Sequence, residues 1–159
     1  MASPMTDLTA AEVLDGIRAW AEQLYQVAGL KVEVALHGGR FTPADLERYA
    51  TRSSACRIAL EGLKFALGNR GELVASGQVV AVVLAGDQGK AGSRALNVLA
   101  AAAPLQAALP SSRCGLALHD SIDAKDVRAA NLYHAALDKQ GTAGWVITWP
   151  VAFIHSRTR

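Results

Sequence analysis

Cysteine is scarce in this chain of 159 residues: only Cys56 and Cys114, far apart and without metal-ligand spacing. The pair reads as two free, buried thiols of a reducing compartment rather than as a disulfide. Long apolar runs are lacking too. Even Val79–Ala85 is stopped by Gly86 and Asp87, far short of the roughly 18 residues of a membrane helix. The opening Met-Ala-Ser-Pro-Met-Thr-Asp has neither a basic n-region nor an apolar h-region, so a cytoplasmic protein without a secretory signal is expected. Neither sign of charge dominates. A formal net charge of +2 gives no indication of nucleic acid as a partner. The charge is uneven, however, with eight basic and nine acidic residues up to Val80 and eight basic and five acidic beyond it. The second half is where an anionic ligand is expected. There is no internal repeat and no low-complexity linker, so residues 1–159 read as one domain, large enough to bury about two thirds of its unfolded surface.

Periodicity supplies the elements. Thr9-Ala-Ala-Glu12 has the form of a capping box, and Val13, Ile17, Trp20, Leu24 and Val27 follow at helical spacing until Gly29. Leu30–Leu36 alternates as a strand and ends in His37-Gly38-Gly39. Thr42-Pro43-Ala-Asp45 predicts the start of a second helix, with an apolar stripe from Leu46 through Leu60 and Leu63 to Leu67. Glu72–Ala75 and Gln78–Ala85 read either as a hairpin through Ser76-Gly77 or as one bent strand. A helix over Ser93–Ala103 is expected to break or kink at Pro104. Cys114–Leu118 reads as a strand. Asp123 opens a predicted helix with Val127, Ala130, Leu132, Tyr133, Ala136 and Leu137 as its apolar positions. Trp145–Ile154 reads as a last strand or strand pair, with Pro150 marking an edge or a bulge. This order predicts an α/β fold, a mixed sheet covered by helices in two or three layers.

The most specific stretch is Gln78–Leu99, where a β-branched run passes through Gly86, Gly89 and Gly92 into a helix. Such a turn either simply redirects the chain or cradles a phosphate with backbone amides, helped by Lys90 and Arg94. Its spacing matches neither the dinucleotide fingerprint nor the nucleoside-triphosphate loop. Gln88-Gly89-Lys90-Ala91-Gly92-Ser93-Arg94 resembles, one residue shorter, the Gln/Arg-x-x-Gly-x-Gly/Ala pyrophosphate motif of the GCN5-related N-acetyltransferases. Asp126-Val-Arg-Ala129-Ala-Asn-Leu132-Tyr133 is similar to the same family's Asn-x-x-Ala-x-x-Leu-Tyr helix. The resemblance implies an acetyltransferase-like fold, acyl-coenzyme A as cofactor, Gln88 to Arg94 as its binding residues and Tyr133 as the acid that protonates the leaving thiolate.

Two rival readings come from the residues alone. His37, Asp87 and His119-Asp120 stand at predicted strand ends, where parallel strands would gather them into a metal or acid-base site, although no pair has diagnostic metal spacing. Trp145, Trp149 and Phe153 alternate on a predicted edge strand, an aromatic surface for a homo-oligomer or a partner protein. The second of these makes the chain a non-enzymatic interaction or assembly protein.

Overall fold

The computed structural model describes residues 7–38, 41, 42, 44, 45 and 54–157. Helix α1 spans Ala10–Ala28 and is set by local chemistry at both ends. The Thr9 hydroxyl accepts from the Glu12 amide, the Glu12 carboxylate accepts from the Thr9 amide, and Gly29 closes the helix at φ 71°, donating to Tyr25 and Gln26 carbonyls. Val13, Ile17, Ala21 and Tyr25 form its buried stripe.

Five strands follow: β1 (Val32–Leu36), β2 (Ser54–Leu67), β3 (Leu73–Gly86), β4 (Arg128–Leu132) and β5 (Thr142–Ile154). Helix α2 (Arg94–Ala108) joins β3 to the second half of the chain, and the short α3 (Ala135–Lys139) joins β4 to β5. The sheet order is β1-β2-β3-β5-β4, with β1 parallel to β2 and every other pair antiparallel. This is the mixed sheet covered by helices that the element order predicts, in a single α/β domain. The free, buried thiols Cys56 and Cys114 agree with the sequence reading. No described helix is long and apolar enough to cross a membrane.

Strand β3 is the centre, and from Val79 to Gly86 both of its faces are buried, which is why that stretch is apolar without alternation. Val79, Ala81, Val83 and Ala85 meet the core with α1 and α2, while Val80, Val82 and Leu84 pack with Leu137 of α3 and with Phe41, Leu132 and Val146 on the opposite face. Leu73–Gly86 is thus one strand, and the hairpin lies between β2 and β3 instead.

Several expectations are corrected. The helix predicted through Leu67 gives way to β2 from Ser54 onward, because that segment pairs with β3 from Ala55↔Leu84 to Leu67↔Leu73. Its start, Thr42 and Asp45, does form a reciprocal cap, the Thr42 hydroxyl accepting from the Asp45 amide at 3.2 Å. Leu46 and the following residues up to Ser53 lie outside the described residues. Cys114–Leu118 is not a strand, since Cys114 and Gly115 take φ of 53° and 68°, which no extended strand tolerates. The helix predicted from Asp123 is replaced by one 3-10 turn (Ala124–Asp126), β4 and α3, with Arg128–Leu132 drawn into pairing with β5. Helix α2 runs through Pro104 to Ala108. A helix-interior proline costs about 3 kcal/mol, and burial of Leu105 and Leu109 beyond it returns about 1.5–3 kcal/mol each.

Candidate functional site

The turn between β3 and α2 is folded on itself. The Asp87 carboxylate accepts from the Arg94 amide at 2.8 Å, the Ser93 hydroxyl donates to the Asp87 and Lys90 carbonyls, and the Asn97 amide reaches the Gly86 carbonyl at 2.9 Å. A side chain of this protein therefore holds an N-terminal amide of α2 that a bound anion would use. Gly89 and Gly92 are at φ 85° and 79°, with open space where a Cβ would stand. Backbone conformation, rather than close approach of a neighbour, explains these glycines.

The residues singled out around this turn separate into three groups. Gln88 turns toward the start of β2 and donates to the Ser54 hydroxyl at 3.0 Å. Gly89, Lys90, Ala91 and Gly92 form the tip, and Ser93 is spent inside the turn. Arg94 reaches Asp138 of α3 at 3.3 Å. There it lines a pocket of about 200 Å³ with Asn131, Tyr133, His134, Asp138 and Thr142. Arg94 and Tyr133, chosen from separate motifs, thus share one pocket.

Tyr133 sits just after β4 rather than on a helix, and is 85% exposed. His134 accepts from the Ala136 amide through Nδ1 at 3.1 Å, which places its proton on Nε2, available as a donor. The Thr142 hydroxyl is buried without a partner among the described residues. The pocket offers mostly hydrogen-bond donors, with the Asp138 carboxylate as their counterweight.

The His/Asp constellation does not assemble. Because β1 and β3 run in opposite directions on either side of β2, their carboxyl ends lie at opposite ends of the sheet. His37 stacks on Phe41 at 4.2 Å and meets Asp45 at 3.4 Å. His119 bonds its neighbour Asp120 at 3.0 Å, and Asp87 caps α2. No cluster of metal-ligating side chains occurs among the described residues. Cys56 and Cys114 are buried, and burial pushes the Cys56 thiol up to about 12 and the Cys114 thiol up to about 11, away from the thiolate form.

The aromatic strand is not a sheet edge. Strand β5 lies between β3 and β4, and Trp149 and Phe153 are fully buried under the helices, while Trp145 donates to Gln106 of α2 at 2.6 Å. Trp149 and Phe153 belong to the core, and Trp145 is half-buried against it. Pro150 nevertheless marks a margin, as its sequence suggests. The Ala152 and Ile154 carbonyls accept from His119 and Leu8 on the side away from β3. By strand alternation the missing N–H of Pro150 falls on that same side, just past Thr148, where pairing with β4 stops.

Besides the outer sides of the terminal strands β1 and β4, an open margin lies on β2 among the described residues. Strand β1 covers it only up to Ile58, whose carbonyl accepts from the His37 amide. From Ala59 to Leu67 no described strand flanks it on that side. A β-bulge interrupts this stretch, Glu61 and Gly62 together facing Gln78, and beyond it Phe65 and Leu67 are 55% and 68% exposed. The predicted helical stripe takes in Leu63 and Leu67 and passes over Phe65. The period-two signal Leu63, Phe65, Leu67 was available to find them. Compared with known proteins, the chain matches no family model and no curated protein.

Proposed function

We propose that this chain is a non-enzymatic interaction and assembly protein, and that it binds through the uncovered margin of β2 rather than through Trp145–Phe153. One observation carries the reading: no described strand pairs with the outer margin of Ala59–Leu67, and Phe65 and Leu67 are exposed there. An apolar strand edge is a template for another chain unless it is covered. The pockets lined by described residues are small or open, and the thiols of Cys56 and Cys114 are buried. Two free thiols also fit a cytoplasmic setting.

Sedimentation over a range of concentrations, alone and beside a Phe65→Asp variant, tests the proposal. Self-association or partner capture that the variant abolishes is the expected result. Identical behaviour of the two proteins removes the β2 margin from consideration.

The convergence of Arg94 and Tyr133 on one pocket favours a second reading, acyl-coenzyme A-dependent N-acyl transfer, with Tyr133 donating the proton to the leaving thiolate. Acetyl-coenzyme A would then raise the melting temperature by mass action. An unchanged melting temperature at millimolar acetyl-coenzyme A eliminates it.

A further inference from the structure

The stretch of β2 that no described strand covers is complementary to itself. Backbone groups alternate along a strand, so the direction of the Ile58 carbonyl, outward to His37, fixes the rest. Leu60 also faces outward. The bulge then shifts the alternation, because Glu61 and Gly62 both oppose Gln78, and Leu63, Phe65 and Leu67 face outward beyond it. The side chains follow the same count. Leu60, Leu63, Phe65 and Leu67 lie on the helix side of the sheet, while Glu61 and Lys64 lie on the other.

We infer that two copies of this chain pair edge to edge through β2, antiparallel, about a two-fold axis at Leu63. The inference rests on the assembly reading above and names its partner. In this register Leu63 stands opposite Leu63 of the second copy, and Phe65 opposite Leu60. Lys64 stands opposite the bulge that carries Glu61. The apolar row Leu60, Leu63, Phe65 becomes continuous across the axis on one face, and two Glu61–Lys64 contacts form on the other. About six backbone hydrogen bonds satisfy the outward groups.

The window ends where it must. The next outward residue, Leu67, would fall opposite Ile58, whose outer side the second copy's own His37 already holds. Other registers are poorer. An axis at Lys64 sets two ammonium groups face to face, and an axis at Phe65 leaves Glu61 and Lys64 without cross-strand partners. An isologous contact of this kind closes on itself as a dimer.

Charge reversal supplies the test, because Glu61 and Lys64 are exposed and their substitution leaves the core untouched. Lys64→Glu and Glu61→Lys, each alone, set like charges opposite one another twice per dimer, and roughly a tenfold weaker dimer is expected in sedimentation. The double variant Glu61→Lys/Lys64→Glu restores the pairing to within about threefold of the wild type. Leu63→Cys places two thiols on the axis, about 5.5 Å apart between Cα atoms, and mild oxidation should yield a covalent dimer. A wild-type protein that stays monomeric at high concentration overturns both this inference and self-assembly. An oligomer indifferent to both charge reversals, with no Leu63→Cys cross-link, overturns the two-fold register and leaves the wider assembly reading standing.

Discussion

Gly77 is the residue on which the β2 bulge depends, and replacing it with alanine tests that geometry. A Cβ built there collides with the Gly62 carbonyl oxygen and comes within 3.1 Å of the Leu63 side chain. The first contact is backbone, which cannot rotate aside, so β2 must move off β3 at the bulge. Overpacking of this kind costs about 1–3 kcal/mol. Against it stands the backbone entropy that glycine loses in a strand, about 0.5–1 kcal/mol in favour of alanine. Because the clash is with backbone, the upper part of the overpacking range, about 2–3 kcal/mol, applies, and the net expectation for Gly77→Ala is a loss of about 1–2.5 kcal/mol. For a domain of this size that is a fall of roughly 2–10 °C in Tm. Gly62→Ala is the matched control, because its Cβ would meet nothing within 4 Å, and it should stay within about 0.5 kcal/mol of the wild type. Urea unfolding followed by tryptophan fluorescence, to which buried Trp149 contributes, at concentrations where the protein is monomeric, measures both. A Gly77→Ala protein as stable as the wild type, or a Gly62→Ala protein equally damaged, would refute the argument.

Other outcomes follow from local chemistry. Burial raises the Cys56 thiol to about 12 in the folded state, so its stabilising contribution is intact below the unfolded pKa of about 8.5 and is lost as the pH climbs toward 12. Stability should fall by about 1.4 kcal/mol per pH unit from this group across that window, and Cys56→Ala should flatten the slope by that amount in denaturant titrations at pH 9.5 and 10.5. Asp87→Ala removes the carboxylate that accepts from the Arg94 amide and should cost about 1 kcal/mol of stability in the same unfolding assay. Pro104→Ala restores a donor to the middle of α2 and should gain about 1–3 kcal/mol, read as a higher Tm. A loss of stability there would mean that the proline shapes the packing of Leu105 and Leu109.

What was legible in the sequence was what local chemistry decides. Thr9, Glu12 and Gly29 cap α1 through contacts within a few residues, and the β3 run with its glycine turn into α2 needs nothing distant to define it. Where two periods compete, distant pairing decides. Arg57, Glu61 and Lys64 suit the solvent face of a helix as well as the face of a strand, and only the ladder with β3 selects the strand. Arg128–Leu132 has an equally weak local preference and is claimed by β5. The candidate sites follow the same division. Gln88, Ser93 and Arg94 stand out because a glycine turn announces itself, but their separate destinations, Ser54, Asp87 and Asp138, are tertiary facts. The exposed margin at Phe65 was hidden by the same misread period that hid β2.

The central position of β3 also bears on how the chain folds. Its partner β2 is reached through the short turn 68–72, whereas β5 arrives only after residues 87–141. Closing the longer connection costs about 2 kcal/mol more in chain entropy, so the β2–β3 hairpin should form first and β5 should dock onto it. Because backbone groups alternate, the amides of Val80 and Val82 point to β2 and those of Val79, Ala81 and Val83 to β5. Partial opening that releases β5 alone would free every second amide of one strand. Hydrogen exchange along β3 should then show a two-residue rhythm, slow toward the hairpin and faster toward the late-arriving strand.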